Sequence, residues 1–312
     1  MGQVLSRHKL IAWMLLGLLS CIWGSSFILM KRGLKVFSPE EISALRIFAG
    51  GIFLLPLSVP QLKRLHYKHY KLLFLSGVIG ILIPAFLSAK AQTQLDSAIN
   101  GVLNSLTPVF VLLVGVIFFQ RKILRSEAIG AVLGVKGSIL LMFIEAWNQV
   151  DKFNYYALLP VLGTFLYGNN INLTKYHLQE LTSKTIASVS LLLMGVAAGI
   201  FLFTQTTFLT KLQTAEGAYH AMGYVLILGI VGLGIAQLLF ATLIKLASPV
   251  FASSISFFIP IVALMWGLLD GELLLWGHYL GIVIILLGIH FVSKTQATEK
   301  LSQGMRPTSD NR

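Results

Sequence analysis

Apolar residues run along this chain in blocks of about 20, the length that crosses roughly 30 Å of hydrocarbon as a helix. Short stretches holding most of the charged residues separate the blocks. Ten blocks are read, at about 10–30, 40–60, 71–93, 98–120, 126–145, 155–173, 184–204, 221–244, 249–270 and 274–293. Lipid offers no partner for backbone N–H and C=O groups, so each block is expected to be a helix. Residues 294–312 are the one stretch that is polar at length and read as a cytoplasmic tail. The first block follows Arg7 and Lys9 as a signal peptide would, but its apolar part is too long, so it is expected to stay attached.

The blocks repeat. Asn100 to Gln120 (NGVLNSLTPVFVLLVGVIFFQ) is echoed 152 residues later by Ala252 to Glu272 (ASSISFFIPIVALMWGLLDGE), which aligns Pro108 with Pro260 and Gln120 with Glu272. The next block of each copy holds two glycines seven apart, Gly130 and Gly137, then Gly281 and Gly288, at an offset of 151. Five blocks per copy is an odd number, so the second copy would point the opposite way across the membrane. The fold class expected is all-α integral membrane, with ten transmembrane helices as two inverted five-helix repeats at 10–145 and 155–293. Inverted repeats place a binding site at their interface near the midplane.

Composition agrees with lipid as the solvent. The hydrophobic share is 56%, charged residues are 12%, and the mean hydropathy is +0.80, against about a quarter charged in soluble domains. A net charge of +12 would fit nucleic acid in a soluble protein; here the basic residues lie in short loops, so no nucleic-acid partner is expected. With the amino terminus inside, 16 of the 24 Lys and Arg fall on the cytoplasmic side and 5 on the other. Both termini are expected in the cytoplasm of a cell-membrane (plasma or inner-membrane) protein. The lone Cys21 can form no internal disulfide.

Several runs together resemble the drug/metabolite transporter superfamily, EamA type. They are WGSSF at Trp23 to Phe27, ALRIFAGG containing Arg46, the proline of the fourth block with Gln or Glu twelve residues on, and GxxxxxxG in the next block. The resemblance implies a ten-helix secondary transporter, most often an exporter of metabolites or amino acids, with a central cavity lined by both halves. Gln120 departs from the glutamate usual there, which Glu272 keeps. Trp23, Gly24, Ser25 and Ser26 have counterparts 144 residues on in Tyr167, Gly168, Asn169 and Asn170. The resemblance implies that these positions face the cavity; helix–helix packing is the other reading. Trp23, Ser26, Tyr167 and Asn169 are taken as candidates.

Polar residues inside the blocks carry the chemistry. Asn100, Asn104 and Thr107 fall at i, i+4 and i+7 on one helical face, and the two amides are read as cavity lining. Lys136 lies about ten residues from either end of its block, too deep for a simple snorkel. A lysine there costs about 2.5–3.5 kcal/mol, so a wet cavity or a partner is expected. Lys90 could instead snorkel to the outer surface, and Arg46 could anchor at the interface or pair with Glu40 or Glu41. Gln237 is a further cavity candidate, and His290 reads as interfacial.

Three intramembrane cations without a midspan carboxylate point to an anionic or zwitterionic small-molecule substrate, an amino acid or organic acid. Export of cationic or neutral drugs is the alternative. Proton coupling stays open, with no deep carboxylate to carry it. No GxxxxGK[ST], HExxH, Gly-x-Ser-x-Gly or metal-spaced Cys/His cluster occurs, so neither cofactor nor metal is expected. An enzyme using Ser25 or Ser26 with His290 is a distant alternative, because His290 should lie near the inner surface. The GxxxG pairs at Gly195/Gly199, Gly130/Gly134 and Gly277/Gly281 are read as packing within one bundle, leaving a monomer as the default and a homodimer as the alternative.

Overall fold

The computed structural model describes residues 2–63, 65–120, 124–147, 155–246 and 255–304. Among these the regular structure is helical, with no strand. The longer helices are α1 (Gly2–Gly33), α2 (Pro39–Leu62), α3 (Tyr67–Gly77), α4 (Ile83–Ala91), α5 (Ser97–Asn104), α6 (Thr107–Phe119), α7 (Arg125–Trp147) and α8 (Leu158–His177). They continue as α9 (Ser183–Gln205), α10 (Phe208–Thr214), α11 (Ala218–Ile227), α12 (Ala236–Leu246), α13 (Ile255–Leu269) and α14 (Trp276–Gly304). Among the described residues, six stretches are long and apolar enough to cross a membrane: Leu10–Gly33, Pro39–Leu62, Tyr67–Ala91, Ser97–Phe119, Ser183–Gln205 and Ala218–Phe240. The exterior is apolar, with Trp13, Ile117, Phe118, Ile200, Leu280 and Leu287 among many exposed large side chains. A soluble protein does not carry such a surface.

Three blocks that read as single helices are broken. Block four divides into α5 and α6, because Pro108 has no N–H to give and is accommodated at the start of a new helix. Block three carries a π-helical turn, Val78–Leu82, between α3 and α4, just before Pro84. Block eight carries another, Leu228–Ile235, between α11 and α12, where glycines alternate at Gly232 and Gly234. Such wide turns often mark functional sites. Local starts are ordinary by contrast. Pro39 opens α2 behind a capping box, in which Ser38 Oγ accepts from Glu41 N (3.2 Å) and Glu41 Oε2 accepts from Ser38 N (2.7 Å).

Glycine sets how closely the helices pack, and the contacts recur at the offsets seen in the sequence. A methyl group on Gly24 of α1 would lie 2.5 Å from Val262 Cβ of α13; one on Gly168 of α8 would lie 2.8 Å from the Phe110 carbonyl carbon of α6. Gly24 and Gly168 are 144 apart, and Phe110 and Val262 are 152 apart. Gly51 of α2 and Gly195 of α9, again 144 apart, face each other directly. Five of the six GxxxG glycines are used the same way. Gly195 meets Gly51, Gly199 meets Phe48, Gly281 meets Gly137, and Gly130 and Gly134 meet Gly288, all inside one chain.

Polar contacts between the helix ends define two ends of the bundle. At one, Lys31, Glu40, Glu41, Lys90, Lys211, Asp270 and Glu272 are tied together in pairs. At the other, His69 meets Glu180, Gln61 accepts from Thr185, and Phe119 stacks on Tyr176.

Candidate functional site

Between these ends lies a cavity of about 620 Å³. Its walls come from α1, α2, α3, α4, α5, α6, α8, α9, α12, α13 and both π-helical turns. It runs from Phe27, Met30 and Ser88 toward the Lys31 end down to Thr174 and Ser183, where α8 and α9 meet. Ser183 is exposed, so the cavity reaches the surface at the His69 end, whereas Met30 is buried.

Six of the expected residues line this space: Trp23, Ser26, Arg46, Asn104, Tyr167 and Gln237. Trp23 is already engaged. Its Nε1 donates to Gly232 O of the second π-helical turn (3.0 Å), and its ring meets Phe240 edge-on. Ser26 Oγ donates to Ile22 O (3.0 Å). Arg46 is different: it is 8% exposed, and its Nε is buried with no hydrogen-bond partner among the described residues. Neither glutamate considered as its partner takes that role, since Glu41 pairs with Lys211 (2.8 Å) and Glu40 lies 4.0 Å from Lys90. Tyr167, within electrostatic reach, shares the cavity wall with Arg46.

Four expected residues lie elsewhere. Lys136 is exposed on α7, on one face with Val132, Val135 and Ile139, because the α7 glycines turn the opposite side toward α6 and α14. Lys90, in the last turn of α4, is half exposed beside Glu40 at the rim. Asn169 donates back to Phe165 O of its own helix (2.9 Å). Asn170 lines the cavity instead, because it lies three residues from Tyr167 and so shares its face. The Asn170 amide sits over Gly80 of the first π-helical turn, and its Oδ1 is buried without a partner among the described residues. Asn100 is wholly buried above the cavity, where its Nδ2 donates to Ser88 O (3.2 Å), Ser88 Oγ (3.1 Å) and Gln92 Oε1 (3.2 Å). Gln92 in turn donates to Phe27 O (2.5 Å), and Asn104 donates to Asn100 Oδ1 (3.0 Å). The network ties α1, α4 and α5 together as a roof.

Above the roof is a charged seal that the sequence reading missed. Lys31, near the end of α1, reaches both Asp270 Oδ2 and Glu272 Oε1 at 2.7 Å, and Arg32 pairs with Asp270. Glu272 also accepts from Ser97 N (3.0 Å), Ser97 Oγ (2.5 Å) and Ala98 N (3.0 Å), the first amides of α5. A carboxylate at a helix N-terminus is favoured by the free N–H groups and the helix dipole. The Lys31 ammonium first, with Arg32 beside it, holds Asp270 below the usual carboxylate range. Burial by itself would push Glu272 up; the Lys31 ammonium and the Ser97 and Ala98 donors outweigh it and bring Glu272 down. A carboxylate held low contributes stability above its ordinary pKa and loses it as pH falls through the lowered value. The gap in melting temperature between wild type and Glu272→Gln is therefore expected to stay level from about pH 8 to about pH 5, and to close only below about pH 4. Melting curves of both proteins in a pH series check this; a gap that closes between pH 7 and pH 5 would refute the assignment.

The profile of the EamA-like transporter family matches residues 11–143 and, a second time, residues 154–294. The chain belongs to the EamA-like transporter family. Its relatives include an uncharacterized transporter of Archaeoglobus fulgidus, 24% identical over 282 residues, covering 90% of this chain and 98% of that one. The uncharacterized inner membrane transporter YedA of Escherichia coli is 25% identical over 283 residues, 87% of either chain. The uncharacterized transporter YoaV of Bacillus subtilis is 25% identical over 299 residues, 92% of this chain and 99% of that one. A crystal structure superposes with a TM-score of 0.60 over 95% of this chain and 99% of the other, at 15% identity, which speaks for the fold alone. This EamA-like chain is accordingly a multi-pass membrane protein of transporter kind.

Proposed function

We propose that this chain is a secondary-active exporter of a small anionic or zwitterionic metabolite, working by alternating access between two inverted five-helix repeats, 10–145 and 155–293. The observation that carries the substrate class is Arg46, a buried guanidinium on the cavity wall whose Nε has no partner among the described residues. A charge in that position costs folding energy unless a partner arrives. A carboxylate is the natural partner, since charge-assisted bonds to arginine are short and strong. The unpartnered Asn170 Oδ1 accepts a donor such as an ammonium group, which suits a zwitterion.

The glycine contacts support the repeats, because Gly24 on Val262 and Gly168 on Phe110 are one contact made twice at the sequence offsets. The excess of Lys and Arg at the His69 end, including Lys63, Lys68, Lys71, Lys175 and Lys184, supports a cytoplasmic placement of that end and of both termini. A cavity that reaches the surface there and is sealed at the Lys31 end would load from the cytoplasm, as an exporter does.

The test is the melting temperature of purified protein against a panel of carboxylates, amino acids and lipophilic cations. A solute that binds only the folded state stabilises by about 2.7 kcal/mol at a hundred times its Kd, or several degrees for a chain of this size. Stabilisation by carboxylates or amino acids is expected. Stabilisation by tetraphenylphosphonium alone would overturn the substrate class.

A further inference from the structure

The two ends of the bundle are built from positions that correspond in sequence but do not carry the same charges. Lys31 has its counterpart 144 residues on in Lys175, as Trp23 has in Tyr167. Glu272 has its counterpart 152 residues back in Gln120, as Pro260 has in Pro108. At the Lys31 end the pair is joined: the Lys31 ammonium and Glu272 are 2.7 Å apart, and Glu272 is almost fully buried. At the His69 end both counterparts are exposed, although Phe119 stacks on Tyr176 at 4.3 Å and brings the chain neighbours Gln120 and Lys175 to the same corner. The helices that carry these residues pack in matching pairs, α1 on α13 through Gly24 and α8 on α6 through Gly168.

We propose that the Lys31–Glu272 pair, with Asp270 and Arg32, is the outer gate of the transport cycle, and that Gln120, standing where a second such glutamate would, leaves the inner gate without its ion pair. This rests on the transport reading above. The physical argument is one of bias. A two-state carrier alternates between closing one end and closing the other, and its resting population follows whichever closed gate has the better contacts. The outer gate gains a buried carboxylate that holds one ammonium and three donors from α5. An amide at position 120 carries no charge to set against Lys175. The chain therefore rests with the Lys31 end shut and the cavity reaching the surface at the other, the arrangement seen. Opening outward requires the Lys31, Ser97 and Ala98 contacts to Glu272 to part together, because all converge on one carboxylate.

The experiment is accessibility of a single cysteine in the cavity wall. In a Cys21→Ser background, Ser105→Cys is placed on the buried part of the wall. It is labelled with a membrane-impermeant maleimide applied to right-side-out and to inside-out vesicles. The parent is expected to react from one face only, the face carrying the His69 end. Glu272→Gln is expected to raise labelling from the Lys31 face by about five-fold or more, the effect of losing one modest charged contact. Gln120→Glu, which places a carboxylate near Lys175, is expected to lower labelling from the His69 face by a similar factor, and the double variant to show both changes. Parent-like labelling from both faces in Gln120→Glu and in the double variant overturns the proposal. Position 120 is exposed, so Gln120→Glu decides the matter even where Glu272→Gln fails to assemble. Labelling is read without solute, so its failure would leave any result of the ligand panel standing, and the absence of any stabilising solute would leave the labelling result standing.

Discussion

Arg46→Met is expected to make the empty protein more stable and to abolish its response to carboxylates. The two effects have one cause. The guanidinium is 8% exposed, its Nε is without a partner among the described residues, and the neighbouring glutamates are committed to Lys211 and Lys90. Methionine fills similar volume without the desolvation cost, a replacement that in buried sites is commonly neutral or stabilising by about 1–4 kcal/mol. A bound carboxylate, however, loses charge-assisted hydrogen bonds worth about 1.5–3 kcal/mol each, so affinity should fall by about ten- to more than a hundred-fold. Melting curves with and without a stabilising carboxylate read both at once. Arg46→Lys separates charge from geometry: it keeps the charge but lacks the planar fork, and partial recovery is expected. A purely structural arginine would behave in the opposite way, with Arg46→Met lowering the melting temperature and leaving any ligand response intact.

Which positions could be read from the sequence follows from what a linear pattern encodes. Depth in the membrane is legible, because it is counted in residues along an apolar block. Direction around the helix is not, because it depends on which neighbours cover which side. Lys136 shows the difference. It lies near the middle of α7, yet the α7 face opposite its glycines is the one left bare, and the lysine is on it. Asn169 and Asn170 differ by one residue, or about 100° around the helix, and that step separates a bond to Phe165 O from a place on the cavity wall. Asn100, read as cavity lining, instead bonds Ser88 and Gln92 in a buried network. The π-helical turns leave no local mark beyond glycine and proline, which also occur in ordinary spans. Least legible was the charged seal. Lys31 and Glu272 are 241 residues apart and read singly as loop charges; only the folded bundle brings them to 2.7 Å.

Gly288→Leu is expected to prevent assembly, and Gly137→Leu to do so equally. A methyl group on Gly288 would lie 2.6 Å from Gly134 N and 2.7 Å from Gly130 O; one on Gly137 would lie 2.9 Å from both Gly281 O and Ile285 N. These are backbone atoms, which no side-chain rotation can move aside, so α7 and α14 would have to separate along their length. Overpacking in a filled core costs about 1–3 kcal/mol when side chains can adjust. Where they cannot, the cost exceeds that range and takes up a large part of the roughly 5–15 kcal/mol that holds a folded domain together. In lipid, little hydrophobic force remains to drive the helices back together, because their association rests on this close packing. Gly17→Leu is the control, since nothing lies within 4 Å of its missing side chain and the position is exposed. Size-exclusion chromatography in mild detergent should give wild-type yield and a single peak for Gly17→Leu, and aggregate or no recoverable protein for the other two. The comparison between the two matters as much as the loss itself. Gly137 and Gly288 are 151 residues apart, and each packs on residues equivalent to those that hold the other. A pair of inverted repeats meeting across a two-fold interface requires matched damage. Full recovery of either variant would leave the close approach of α7 and α14 without its packing role, and full recovery of only one would break the equivalence on which the inverted-repeat reading stands.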